Sequence, residues 1–141
     1  MTKTILVVDD DQAVLQSYGR LLRRLGHRAL LAEDSQTVMT DPGSLQGIDL
    51  LILDQRMPRT SGLDLLAGLR RRGATGVTGG RVPAVILISA FLSDELRAEA
   101  ARLGVAEIIE KPIETTHLLA CVRAALDGAA CRHPLDPSMS R

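Results

Sequence analysis

Short unbroken apolar runs that alternate with longer segments of helical period leave this chain few ways to fold. The runs are Ile5-Leu6-Val7-Val8, Leu50-Leu51-Ile52-Leu53, Ala84-Val85-Ile86-Leu87-Ile88 and Val105 to Ile109, with a weaker one at Ala29-Leu30-Leu31. A strand with one wet face alternates polar and apolar residues. A continuous run instead predicts a strand covered on both faces, as in a parallel sheet. Between the runs, Val14, Leu15, Tyr18, Leu21, Leu22 and Leu25 recur at helical spacing. So do Leu65, Leu66 and Leu69, then Leu96, Ala100 and Leu103, then Leu118, Val122 and Leu126. Gly26, Gly73 and Gly104 each follow an Arg/Leu-rich turn, as left-handed caps beside dipole-matched cations would. Ser93 ahead of Asp94-Glu95 reads as an N-cap. Five βα units in a row predict an α/β fold, a parallel sheet with helices on both faces.

With 141 residues, 45% of them hydrophobic, the chain suits one domain with a real core. Residues 1–127 are assigned to that domain and 128–141, with Pro134 and Pro137, to a flexible tail or the start of a linker. The Gly/Thr-rich stretch from Gly73 to Arg81 is expected to be a loop. Seventeen basic and seventeen acidic side chains cancel, so no global charge draws the chain to nucleic acid or anionic lipid. Tyr18 and Phe91 are the only aromatics, which argues against a base-stacking platform. Arg23-Arg24 and Arg70-Arg71-Arg72 read as helix ends rather than as a nucleic-acid patch. No signal peptide or membrane-length apolar stretch is evident, and Cys121 and Cys131 read as free thiols, so a cytoplasmic protein is expected.

Ligands of doubly wound sheets bind beyond the carboxyl ends of the strands. There this chain places Asp9, Asp10 and Asp11 after the first run, Asp54 after the third, Ser89 after the fourth and Lys111 after the fifth. Asp11 is better explained as the N-cap of the first helix. Two unit charges about 4 Å apart repel by about 4 kcal/mol at an effective dielectric near 20. Asp9, Asp10 and Asp54 brought together therefore ask for a hard divalent cation, and Mg²⁺ accepts one or two carboxylates while keeping phosphate oxygens in its shell. Lys111 supplies a point charge and Ser89 a hydroxyl donor. Metal, ammonium and hydroxyl around one carboxylate suit in-line phosphoryl transfer, where positioning and charge neutralisation do most of the catalysis. Any one of these residues alone could be a cap, a turn residue or a solvated charge; their joint placement at successive strand ends is harder to explain structurally.

These residues resemble the receiver domain of two-component response regulators. The likeness covers roughly residues 3–127 and rests on ILVVDDD (5–11), LILDQRMPRTSGLDLL (51–66), VILISA (85–90) and IIEKP (108–112). It implies a flavodoxin-like sheet of order 2-1-3-4-5 with five helices. It implies that Asp54 is the phosphoacceptor, Ser89 the switch hydroxyl and Lys111 the charge partner. By the same resemblance Mg²⁺, with Mn²⁺ able to stand in, is held by Asp10, Asp54 and the Arg56 carbonyl, and by Asp9 through water. Met57-Pro58 and Gly62 match the turn after the acceptor. The expected partner is a sensor histidine kinase or a phosphotransfer protein, and the surface expected to respond is residues 93–127, where Glu95, Arg97, Glu99, Arg102 and Arg123 could support a two-fold dimer. Such a domain is not an enzyme in the ordinary sense, since it catalyses only its own phosphorylation and dephosphorylation.

Two departures stand out. Three residues before the lysine the family usually has Tyr or Phe, whereas this chain has Ile108. The spacing from Asp54 to Ser89 is also a few residues longer than usual, which is assigned to the Gly-rich loop. By the resemblance Phe91, two residues after Ser89, and Arg56, two after Asp54, occupy positions that tune dephosphorylation, and the bulk of Phe91 is expected to hinder the attacking water. Two other readings compete: a haloacid-dehalogenase-like phosphatase using Asp9 and Asp11, and a degenerate receiver that serves only for docking.

Overall fold

The computed structural model describes residues 2–40, 47–73 and 83–128. Five strands and five helices alternate: β1 Thr4–Val8, α1 Gln12–Arg24, β2 Arg28–Ala32, α2 Ser35–Thr40, β3 Leu50–Asp54, α3 Gly62–Gly73, β4 Ala84–Ser89, α4 Asp94–Arg102, β5 Glu107–Glu110 and α5 Thr115–Leu126. All strand pairs are parallel, in the order β2-β1-β3-β4-β5. This is the flavodoxin-like sheet expected from the resemblance.

Although the apolar runs are continuous, their side chains still part at a period of two. Ile5, Val7, Leu50, Ile52, Ile86, Ile88 and Ile109 pack with Leu15, Tyr18 and Leu22 of α1 and Leu118, Cys121 and Val122 of α5. Leu6, Val8, Leu51, Leu53, Val85 and Leu87 face the other way, against Val38 of α2, Leu63, Leu65, Leu66 and Leu69 of α3, and Ala100 of α4. Two apolar layers therefore sandwich the sheet, and strands wet on neither face need no polar positions.

Helix ends follow the sequence closely. Asp11 caps α1, its carboxylate accepting from the Ala13 and Val14 N–H groups, and Ser93 caps α4 through the Leu96 N–H. At α1's far end Gly26, with φ 87°, donates to Arg23 O and His27 donates to Leu22 O. Gly104, with φ 78°, donates to Ala101 O and Val105 to Ala100 O, so both helices close on a left-handed glycine. That second cap explains why β5 begins at Glu107 and not at Val105: the Val105 N–H is spent on α4.

Three expectations change or go untested. Gly73 ends α3 from within the helix, and residues 74–82 and 129–141, hence most of the Gly-rich loop and of the tail, lie outside the described residues. Cys121 is not a free thiol: it is fully buried and disulfide-bonded, while Cys131 lies outside the described residues. Whether a thiol is bridged depends on geometry, which counting cysteines does not reveal. Finally, Arg70 does not serve its own helix end. Its Nε donates to Leu103 O at 2.9 Å and its Nη2 reaches Gly104 O at 3.5 Å, so it ties α3 to the end of α4.

Arg70→Ala is expected to lower stability by about 1–2 kcal/mol, the range for losing a charge-assisted bond to otherwise orphaned carbonyls. Arg70→Lys should recover little, since lysine has no donor at the Nε position. Urea denaturation of the three proteins checks this.

Candidate functional site

The sheet order reverses at β1, whose neighbours are β2 and β3. A crevice opens at such a point beyond the carboxyl ends of the strands. Val8 pairs with Leu53, so Asp9 and Asp54 leave adjacent strands side by side. Asp9 stays on course because its N–H donates to Ala32 O at 3.1 Å. Gln55 N–H donates to Ile88 O, and Lys111 N–H to Ser89 O, both at 2.8 Å, which extends the other two ladders and lines up Asp54, Ser89 and Lys111. The Lys111–Pro112 peptide is cis.

The carboxylates do converge. Asp9, Asp10 and Asp54 each offer an oxygen within 4.8 Å of the others. Asp54 is 4% exposed and Asp9 2%, while Asp10 faces solvent. Lys111 Nζ stands 3.1 Å from Asp54 Oδ1. That contact is an ion pair without hydrogen-bond alignment, and Asp54 Oδ1 and Asp9 Oδ2 are both buried with no hydrogen-bond partner among the described residues. One ammonium against three carboxylates leaves negative charge uncompensated. Two orphaned buried oxygens in that field are the signature of a place that a hard cation fits.

The strain shows in protonation. Burial pushes the Asp9 carboxyl up to about 6; the Asp11 N–H, which donates to Asp9 Oδ1 at 2.9 Å, pulls the other way, Asp54 and Asp10 push further, and Lys111 offsets part of it. Tyr18, packed beneath the site, has its phenol raised by burial and by the charges of Asp9 and Asp54, and stays neutral.

Ser89 is buried, but its hydroxyl is occupied: Oγ donates to Phe91 O at 2.7 Å and accepts from Phe91 N–H at 3.1 Å. Phe91 itself is 84% exposed in the absence of a phosphoryl group. Arg56 and Gln55 line a cavity with Ser89, Ala90, Phe91, Ser93 and Leu96, which places Arg56 beside Asp54's end of the crevice. Ile108, where the family carries an aromatic, is half-buried against the α3–α4 side of the core.

Gly62 is required by contact. A Cβ there would lie 2.7 Å from the Asp54 carbonyl oxygen and 3.0 Å from Leu87 Cδ1. The residue missed in the sequence is Gln55. Its Oε1 accepts from Leu63 N–H at 2.9 Å and its carbonyl from Gly62 N–H at 3.0 Å. A polar residue where the Asp54 strand meets its loop, seven positions ahead of the helix start, was the only available signal.

Neither competing reading gains from this geometry. The Asp11 carboxylate, the second acid of the phosphatase reading, is committed to capping α1. The residues whose loss would mark a degenerate receiver are present and assembled.

Because burial raises the folded-state pKa of Asp9 above its ordinary 3.8, the folded state holds the proton more tightly than the unfolded chain. The metal-free protein is therefore expected to lose stability as pH rises from about 4 to about 6, by at most about 3 kcal/mol from this group. Asp9→Asn should flatten that slope and stabilise the metal-free protein at pH 7 by about 1–3 kcal/mol. Denaturation across that pH range, parent against variant, measures both.

The comparisons with known proteins bear on family and fold. The family model for the response regulator receiver domain matches residues 5–123. The transcriptional regulatory protein FixJ of Azorhizobium caulinodans is 36% identical over 124 residues, which cover 88% of this chain and 55% of FixJ. CpxR of Escherichia coli is 32% identical, covering 86% of this chain and 48% of CpxR. The chain thus spans about half the length of these curated relatives. Among solved structures, a CheY-like receiver domain protein from Methanospirillum hungatei superposes with a TM-score of 0.76 at 24% identity, covering 91% of this chain and 96% of that one. A signal receiver domain of an HD domain-containing protein from Pseudomonas fluorescens does so with a TM-score of 0.76 at 26% identity, covering 91% and 97%.

Proposed function

Because the chain belongs to the response regulator receiver domain family, whose members work with histidine kinases or phosphotransfer proteins, we propose that Asp54 is its phosphoacceptor. The observation that carries the reading is the 3.1 Å approach of Lys111 Nζ to the buried Asp54 carboxylate, beside Asp9 and Asp10. The ammonium gives that buried carboxylate a cationic partner within reach of a transferring phosphoryl group.

Asp10, Asp54 and the Arg56 carbonyl would hold Mg²⁺ or Mn²⁺, with Asp9 acting through water. Bound there, the cation supplies charge neutralisation to the transferring phosphoryl group. An Asp54 carboxylate oxygen attacks phosphorus of a kinase phosphohistidine or of a small acyl phosphate. The bond from phosphorus to the donor nitrogen or oxygen breaks, and its electron pair leaves with the donor. Lys111 balances the charge that gathers on the phosphoryl oxygens. Ser89 can then donate to one of them only by releasing Phe91 O, the acceptor it holds now. That competition links the chemistry to the loop ahead of α4, and it needs no aromatic at position 108.

The responding surface is residues 93–127. Glu95, Arg97, Arg102 and Arg123 are exposed there, a mix of signs that supports reciprocal pairing in a two-fold dimer. We place this activity in the cytoplasm, with the kinase. No helix among the described residues is long and apolar enough to cross a membrane. Arg70, the start of the basic run, is engaged at the end of α4 and so does not present its guanidinium to nucleic acid.

Incubation with acetyl phosphate and Mg²⁺ is expected to shift the parent in a phosphate-affinity gel and to leave Asp54→Asn unshifted. A shift that persists in Asp54→Asn would overturn the assignment. The chain has no tryptophan, so Phe91→Trp introduces one reporter. Its emission is expected to change on phosphorylation, and to stay constant when Ser89→Ala is added, because the hydroxyl no longer couples the two events.

A further inference from the structure

A backbone carbonyl cannot be placed by its own side chain. Whatever holds the loop between β3 and α3 therefore decides where the Arg56 carbonyl sits. Three hydrogen bonds close the base of that loop, and all three run through Gln55: its N–H to Ile88 O, its carbonyl from Gly62 N–H, and its Oε1 from Leu63 N–H. Any residue but proline could make the first two. The third needs a side chain with an acceptor of the right reach.

The first turn of α3 shows what that third bond does. A helix begins with N–H groups that lack intrahelical partners. Here Gly62 N–H goes to Gln55 O, Leu63 N–H to Gln55 Oε1 and Asp64 N–H to Ser61 Oγ. Leu63 is 1% exposed, so water is a poor substitute for the Gln55 acceptor. Gly62 meanwhile presses on Asp54's own carbonyl, with no room for a methyl group. A shift at the start of α3 would thus pass into the acceptor residue and into the loop that carries Arg56. The outer part of the loop is restrained separately, by Arg59 Nη1 donating to Gln36 Oε1 at 3.0 Å.

We propose that Gln55 is a positioning residue for the phosphoacceptor site: by capping the buried Leu63 N–H, its side chain holds the Arg56 carbonyl and Asp54 at the spacing a divalent cation needs. The inference rests on the reading of Asp54 and Arg56 given above. It requires no contact between Gln55 and the cation.

The test is Mg²⁺ titration of the full, metal-free chain by calorimetry, with metal-free melting temperatures recorded alongside. Gln55→Leu keeps bulk and loses the acceptor; Gln55→Glu keeps an acceptor. Gln55→Leu is expected to weaken Mg²⁺ binding roughly tenfold, the scale on which residues behind a ligand act. Gln55→Glu should bind at least as well as the parent. The weakening should exceed anything that a change in metal-free melting temperature accounts for. If Gln55→Leu does not fold, Gln55→Ala makes the same comparison. Parent-like Mg²⁺ affinity in the acceptor-free variant overturns the inference, as does equal weakening in Gln55→Glu. A parent that binds no Mg²⁺ overturns the underlying site reading instead, and a parent whose binding survives in Asp54→Asn does the same.

Discussion

Everything in this structure is arranged around a repulsion. Three carboxylates gather within 4.8 Å at the point where the sheet reverses its order, and two of them are buried. Among the described residues, Lys111 is the one cation that forms an ion pair with them. Such a cluster is costly, and a fold optimised for stability alone would not keep it. The two apolar layers on either side of the sheet supply the stability that lets it persist. Each fully buried Leu or Ile contributes about 1.5–3 kcal/mol against exposure, and the central strands β1, β3 and β4 are covered on both faces along nearly their whole length.

The same arrangement explains how a local event could travel. Ser89 is held by the backbone of Phe91, directly ahead of α4. The far end of α4 is held by Arg70 from α3. One end of the helix is thus tied to the site through a hydroxyl that has another use, while the other end is anchored to a neighbour with no part in the chemistry. A helix restrained unequally at its ends is suited to pivot, and that is the element on which partner contact is proposed.

Much of the fold was legible because its cause is short-range. Continuous apolar runs, glycines after basic turns, and Asp11 and Ser93 as caps all act within a few residues of where they sit. The errors have the opposite character. β5 starts late because α4's cap consumes the Val105 N–H. Cys121 is bridged, which depends on three-dimensional proximity.

By itself the sequence determined the chemistry on offer: acids after the first and third strands, a hydroxyl after the fourth and an ammonium after the fifth, on a chain whose hydrophobic pattern admits little but a parallel sheet. Residue type and spacing suffice for that, because strand ends converge in any such sheet. Only the tertiary structure decided which groups were still free to act. It showed Asp11 used up as a cap, the Ser89 hydroxyl engaged by a backbone carbonyl, Asp54 Oδ1 facing Lys111 Nζ without a hydrogen bond, and Gln55 bracing the loop beside it. Hydrogen-bond partners are set by three-dimensional proximity, and a linear pattern carries no record of which donor reached which acceptor.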